Sequence, residues 1–213
     1  MEVMPSIPDK YFDLAIVDPP YGIGYDKMAH NAGGIKTTKG KAYKTEYEYK
    51  GWDNERPSKA YFDELLRVSK SQIIWGGNYF SDMLPPSRCF ITWDKRYPGL
   101  QRTFADCEYA YCSSDLGVAR MFRYVWDGMI QENMGDKEKR IHPTQKPVAL
   151  YRWLLTNYAK PDYKILDTHV GSGSSLIACE EGHYQYLGFE IDKEYFDKAQ
   201  QRLQEFNAQI RFF

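Results

Sequence analysis

Short apolar runs, each stopped by glycine or proline, alternate along this chain with longer stretches of helical period. Leu14-Ala15-Ile16-Val17 reads as a buried strand ended by Pro19-Pro20, and Gln72-Ile73-Ile74-Trp75 as a second ended by Gly76-Gly77. Cys89-Phe90-Ile91-Thr92-Trp93 is a third. Residues 108–112 and 122–126 alternate in the manner of antiparallel strands, and residues 164–167 and 186–191 complete the set. Four helical patterns separate them. One opens at Pro57-Ser58 and puts Phe62, Leu65 and Leu66 on one face. A second takes Pro147 as its first residue and carries Leu150, Leu154, Leu155 and Tyr158. A third runs from Ser174 to Glu181 and ends at Gly182. The last follows an Asp192 cap, with Phe196, Ala199, Leu203, Phe206 and Ile210 on one stripe. Strands alternating with helices predict an α/β fold with a mostly parallel sheet and an antiparallel portion near residues 104–126.

The period fails in two places. From Gly22 to Lys50 glycines are scattered among Lys27, Lys36, Lys39, Lys41, Lys44 and Lys50, with Tyr43, Tyr47 and Tyr49 between them. A patternless stretch of this length in a compact domain is functional or disordered. Residues 127–140 are also polar. Neither break resembles a domain linker, so the chain reads as a single domain over 1–213, with loops at 22–56 and 94–141.

A length of 213 residues is enough for one sizeable core. The net charge of −1 means that any nucleic-acid contact must come from local clusters. Cys89, Cys107, Cys112 and Cys179 form no C-x-x-C pair and no metal-ligand spacing, so no metal is expected. They read as reduced cysteines of a cytoplasmic protein. No membrane span or leader is expected.

Two motifs carry candidate chemistry. Asp18-Pro19-Pro20-Tyr21 follows the first strand directly. A carboxylate accepts from an exocyclic amino group, a proline keeps its carbonyl while lacking the N–H, and the tyrosine offers a stacking face. The second motif is the turn Gly171-Ser172-Gly173 between a strand and a helix, where backbone N–H groups suit a small charged cofactor. A dinucleotide fingerprint would need a third glycine at Leu176, and the Gly-Lys-Ser/Thr ending of a P-loop is missing. Glu190, after the next strand, stands near the offset at which an acid grips ribose hydroxyls. Together the motifs point to methyl transfer onto a base amino group.

Asp18 to Tyr21, the segment His142-Pro143-Thr144-Gln145-Lys146-Pro147, and Asp167 to Ser174 together resemble the DNA amino-methyltransferases. Their order resembles the permuted beta group, with the tetrad ahead of the cofactor motif. The resemblance implies a Rossmann-like S-adenosylmethionine-dependent methyltransferase fold. It makes Asp18, Pro19, Pro20 and Tyr21 catalytic, and assigns Asp167, Gly171, Ser172, Gly173 and Glu190 to S-adenosylmethionine. Thr144 and Lys146 become candidates for the cofactor carboxylate or nearby hydroxyls, with His142 a structural hydrogen-bonding residue. Asp at the first tetrad position implies adenine N6 as the target, with cytosine N4 as the alternative. A non-catalytic module of the same fold and methylation of RNA or a protein amide are the other readings. Members commonly have an aromatic residue where this chain has His169, and a Gly-Asp strand end for which residues 209–213 are the candidate replacement.

DNA is the expected partner. Lys36, Lys39, Lys41 and Lys44 are candidates for its phosphates, and Asn78 with Tyr79 for the base pocket. Lys95, Arg96, Arg102, Arg120 and Arg123 are further candidates for recognition. A homodimer would double the DNA contacts of so small a protein.

Overall fold

The computed structural model describes residues 3–27, 47–97, 105–114, 117–127 and 130–210. Among them nine strands and four longer helices follow in order: β1 (Phe12–Val17), α1 (Lys59–Val68), β2 (Ser69–Trp75), β3 (Cys89–Asp94), β4 (Cys107–Cys112), β5 (Arg120–Arg123), β6 (Trp126–Asp127), β7 (Ile130–Gln131), α2 (Val148–Tyr158), β8 (Lys164–Asp167), α3 (Ser174–Glu181), β9 (Gln185–Gly188) and α4 (Lys193–Ile210). Seven strands form one sheet in the order β5-β3-β4-β2-β1-β8-β9, and β6 and β7 make a separate hairpin. Pairing is parallel for β1 with β2 and β8, β8 with β9, and β3 with β5; β4 runs antiparallel to both its neighbours.

The expected antiparallel portion is therefore a single reversed strand. Residues 122–126 do not form the antiparallel strand their alternation suggested. Arg120 to Arg123 pair in parallel with β3, and Trp126 leaves for the hairpin, where it pairs with Gln131. Alternation reports which face a side chain takes, and both strand directions use the same period of two.

The alternation of β1 divides the core. Leu14 and Ile16 join Ile73, Trp75, Leu150, Leu154 and Ile177 on one face, where α2 and α3 pack. Ala15 and Val17 join Phe62, Leu65, Ile74 and Leu166 on the other, beneath α1. On α4 the buried positions are Tyr195 and Ala199, while Phe196, expected in the core stripe, is exposed. Residues 209 and 210 end α4, so they do not begin a replacement strand, and residues 211–213 lie outside the described set.

β1 lies between β2 and β8 in a run of parallel strands, so the carboxyl ends of all three open on one edge of the sheet. Asp18 follows β1, Gly76 follows β2 and Asp167 ends β8. Ligands of open α/β sheets bind at such an edge. Among the described residues no helix is long and apolar enough to cross a membrane, and no group of acids, histidines and cysteines is arranged to hold a metal.

Candidate active site

The tetrad is held from three sides. Tyr21 and Gly22 donate their N–H groups to Asp53 Oδ1 at 2.7 and 2.9 Å, and Tyr25 donates to Asp53 Oδ2 at 2.8 Å. Asp53 is buried. It thus binds three backbone donors of a turn that has no ladder of its own. Beneath the turn, Gly76 has φ +71°, and a Cβ there would stand 2.3 Å from Tyr21 Cε1. Glycine is required at this position by both its conformation and its contact. The Tyr21 ring stacks on Tyr79 at 4.9 Å, and Asn78 stands exposed in the same turn after β2.

Both carboxylate oxygens of Asp18 are engaged. The Tyr21 hydroxyl donates to Oδ1 at 2.8 Å, and Lys146 Nζ to Oδ2 at 2.5 Å. Lys146 is buried and also lies 3.2 Å from Glu108 Oε2, while Lys95 Nζ sits 2.7 Å from Glu108 Oε1. Burial pushes the Asp18 carboxyl above its usual range, with Lys146 and the Tyr21 hydroxyl pulling it back. Burial also opposes ionisation of Glu108, but Lys146 and Lys95 outweigh it and hold this carboxyl down near 2. Flanked by two carboxylates, Lys146 keeps its charge despite desolvation. The segment around it is pinned by Gln145, whose Oε1 accepts the Ile141 N–H and whose carbonyl accepts Trp126 Nε1–H.

The glycine turn lies beside this cluster. Gly171 and Gly173 take φ +52° and +76°. Glu190 ties the turn to the loop after β9: Oε2 accepts the Gly171 N–H at 2.7 Å and Oε1 the Asp192 N–H at 2.9 Å. Asp167 is buried, accepting His169 N–H at 2.9 Å and Ser175 Oγ–H at 2.5 Å, and burial raises its carboxyl to about 7. The Ser172 carbonyl accepts from Arg202, which also pairs with Glu138 at 2.7 Å. His142 covers the turn, 3.8 Å from where a Gly171 Cβ would be. Burial drives its imidazole down to about 3, so it is neutral and Nδ1 accepts the Thr144 N–H at 3.3 Å, with the Thr144 hydroxyl 3.0 Å away.

Several residues at the site carry no periodic signal in the sequence. Lys50 binds Asp192 and Glu194 at 2.8 and 2.7 Å and lies over the Tyr195 ring. Trp52 lies against His142, and its buried Nε1 has no hydrogen-bond partner among the described residues. Residues 47–56, expected to be part of a patternless loop, are folded against the site. Lys36, Lys39, Lys41, Lys44 and Arg102 lie outside the described residues. Of the other basic recognition candidates, Lys95 is committed to Glu108, and Arg96 and Arg123 to Asp94. Arg120 is exposed.

The donor set suits a charged nucleoside. Glu190 offers carboxylate lone pairs, Ile191 beside it is 101% exposed, and Trp52 brings an uncommitted N–H. A fully exposed apolar side chain next to a carboxylate is the arrangement that a base and its ribose would cover together.

A seven-stranded, mostly parallel sheet with one reversed strand and a glycine turn at its carboxyl edge defines a Rossmann-like methyltransferase fold. The M1.HpyAVI–SAM complex shares it with TM-score 0.56 at 20% identity, covering 95% of this chain and 94% of that one. The PvuII DNA methyltransferase, described as cytosine-N4-specific, shares it with TM-score 0.58 at 12% identity, covering 98% and 89%. Residues 109–201 match the N6/N4 family model described as DNA methylase. Putative methylase YubD of Escherichia coli K12 is 24% identical over 206 residues, 95% of this chain and 86% of that protein. Type II methyltransferase M.HinfI of Haemophilus influenzae is 24% identical over an alignment of 251 residues, 96% of this chain and 66% of the relative. Type II methyltransferase M.HpaI of Haemophilus parainfluenzae is 38% identical over 74 residues, 34% of this chain and 24% of the relative. The family match over residues 109–201 and these relatives together support the resemblance to the DNA amino-methyltransferases.

Proposed function

We propose that this protein transfers a methyl group from S-adenosylmethionine to the exocyclic N6 of adenine in DNA. The observation that carries the proposal is the adjacency of β1 and β8, which sets Asp18 and the Gly171 turn on one edge of the sheet. Asp18 and the Pro19 carbonyl then act as two acceptors for the amino hydrogens. They favour a tetrahedral nitrogen whose lone pair is less delocalised into the ring. Much of the rate comes from positioning. An amino group inside a duplex is unreachable, so the base is flipped out at a cost of a few kcal/mol. Stacking on the Tyr21 side of the pocket returns ~1–3 kcal/mol. The Tyr21 hydroxyl takes one lone pair of Asp18 Oδ1, and the other is left for the incoming amino group.

When bound, S-adenosylmethionine supplies an electrophilic methyl on a sulfonium. Asp167, Gly171, Ser172, Gly173 and Glu190 would hold it, with Ile191 beneath its base and Thr144 at its amino-acid end. Lys36, Lys39, Lys41 and Lys44 would meet phosphates, and Asn78 the flipped base. Relatives named as Type II methyltransferases support a place in restriction-modification. A cytoplasmic location and a homodimer fit this role.

Adenine is favoured by Asp18 at the first tetrad position; the fold shared with a cytosine-N4-specific enzyme keeps cytosine N4 as the second reading. Incubating DNA with the protein and labelled cofactor, then digesting it to nucleosides, separates the two. N6-methyladenine is expected. Labelled N4-methylcytosine would select the second reading, and label found only in RNA or protein would refute both.

A further inference from the structure

Four side chains of alternating charge lead away from the tetrad. Lys146 Nζ is 2.5 Å from Asp18 Oδ2 and 3.2 Å from Glu108 Oε2, and Lys95 Nζ is 2.7 Å from Glu108 Oε1. The Lys146 side chain is 4% exposed, with the rings of Trp75 and Tyr21 at 5.5 and 5.8 Å from its ammonium. Two carboxylates and two ammonium groups make the set neutral, which is what allows it to be buried. Its members come from the ends of β1, β3, β4 and the segment before α2, so the tertiary fold alone assembles it.

We propose that Lys146 is a positioning residue for the transfer step, fixing the Asp18 carboxylate in the orientation and ionised state that accepts the target amino group. Glu108, backed by Lys95, anchors Lys146 in that place. The proposal rests on the methyltransferase reading above. It also moves Lys146 from the cofactor, where the family resemblance put it, to the acceptor side of the site. The chemistry is direct. A protonated carboxyl turns one acceptor oxygen into an O–H donor, and the amino group loses a partner. The titratable groups facing Asp18 are Lys146, the Tyr21 hydroxyl, Glu108 on β4, Tyr151 on α2 and Asp167 at the end of β8. Among the described residues Lys146 is the cation in direct contact with it. Burial and Glu108 both favour the protonated acid, and Lys146 opposes them. Without Lys146 the carboxyl must therefore titrate at higher pH.

The test is the pH dependence of single-turnover methyl transfer to DNA, with S-adenosylmethionine affinity measured in parallel by calorimetry. Lys146→Met is expected to lose roughly 100-fold in rate near neutrality, the scale of a misplaced reacting group. Its acid limb should move up by ~1–3 pH units, the effect of losing an adjacent opposite charge. Lys146→Arg keeps the cation and should restore the wild-type limb with part of the rate. The double variant Glu108→Gln/Lys146→Met removes one charge of each sign and leaves no excess buried charge to prevent folding. It should show a smaller displacement in the same direction. Cofactor affinity should stay within a few-fold in all three. A wild-type acid limb in the double variant would overturn the proposal, as would lost cofactor affinity with an unmoved limb. Wild-type protein that transfers no methyl group to DNA would instead refute the methyltransferase reading itself.

Discussion

At the scale of single residues, the site is controlled by carboxylates with unequal surroundings. Asp18 has two partners already, and its removal takes away an acceptor for the amino group without touching the glycine turn. Asp18→Ala should abolish methyl transfer while cofactor affinity stays within a few-fold; wild-type-like turnover would refute the assignment. Glu190 differs in binding one backbone N–H of the glycine turn, at Gly171, and one of its own loop, at Asp192. Glu190→Ala should weaken S-adenosylmethionine binding by ~1–3 kcal/mol, the scale of a charge-assisted hydrogen bond. Calorimetry showing unchanged affinity there, but a loss in Asp192→Ala, would name Asp192 as the ribose-binding acid. Asp167 makes a prediction about stability. Its carboxyl ionises near ~3.9 in an unfolded chain and at about 7 in the fold. The folded state holds the proton across that interval, so the stability it contributes is complete below the unfolded value. It is lost as pH rises through the folded one. The loss is at most ~4 kcal/mol. Asp167→Asn cannot titrate, and its denaturant-unfolding free energy should lack this decline; parallel pH profiles would disprove the shift.

At the scale of elements, the turns matter more than the strands they follow. Asp53 collects the N–H groups of Tyr21, Gly22 and Tyr25 and thereby ties residues 47–56 to the tetrad. Asp53→Ala leaves those donors without an acceptor, at ~1–3 kcal/mol for each one that stays buried. Amide exchange should accelerate at Tyr21, Gly22 and Tyr25 well before it does in β2. Equal acceleration throughout the sheet would show that Asp53 serves global stability alone. Nothing along the chain marks Asp53 for this role, because one aspartate among Gly51-Trp52-Asp53-Asn54 is what any turn looks like. β9 ends at Gly188, three residues before the expected Ile191. Phe189 closes the ladder with β8 by donating its N–H to the Asp167 carbonyl, and Glu190 continues into the site.

At the scale of the whole molecule, the nearly neutral charge requires DNA affinity to come from a local patch. The lysines of residues 36–44 are the strongest such cluster in the sequence. Replacing Lys36, Lys39, Lys41 and Lys44 with Ala should weaken binding across all DNA sequences. For every phosphate that no longer meets a lysine, the salt dependence should flatten by ~0.9. Cofactor binding should survive, since the glycine turn belongs to β8 and α3. An unchanged salt slope would reduce the segment to a solvated linker.

The local pattern was sufficient for most of the elements: the runs of β1 to β4, β8 and β9, where Gly182 ends α3, how Asp192 caps α4, and that the fold is α/β; it misread residues 122–126 and gave no sign of the β6–β7 hairpin. Period, turn residues and capping groups act over a few positions, so they are written out in order along the chain. The motifs were legible for the same reason, since Asp18 to Tyr21 and Gly171 to Gly173 are contiguous. Their partners were not. Lys146 lies 128 residues from Asp18, and Lys50 lies 142 from Asp192. No period or spacing encodes contacts of that range. They exist because β1 inserts between β2 and β8, and because burying one charge is tolerable only where the fold brings its opposite within reach.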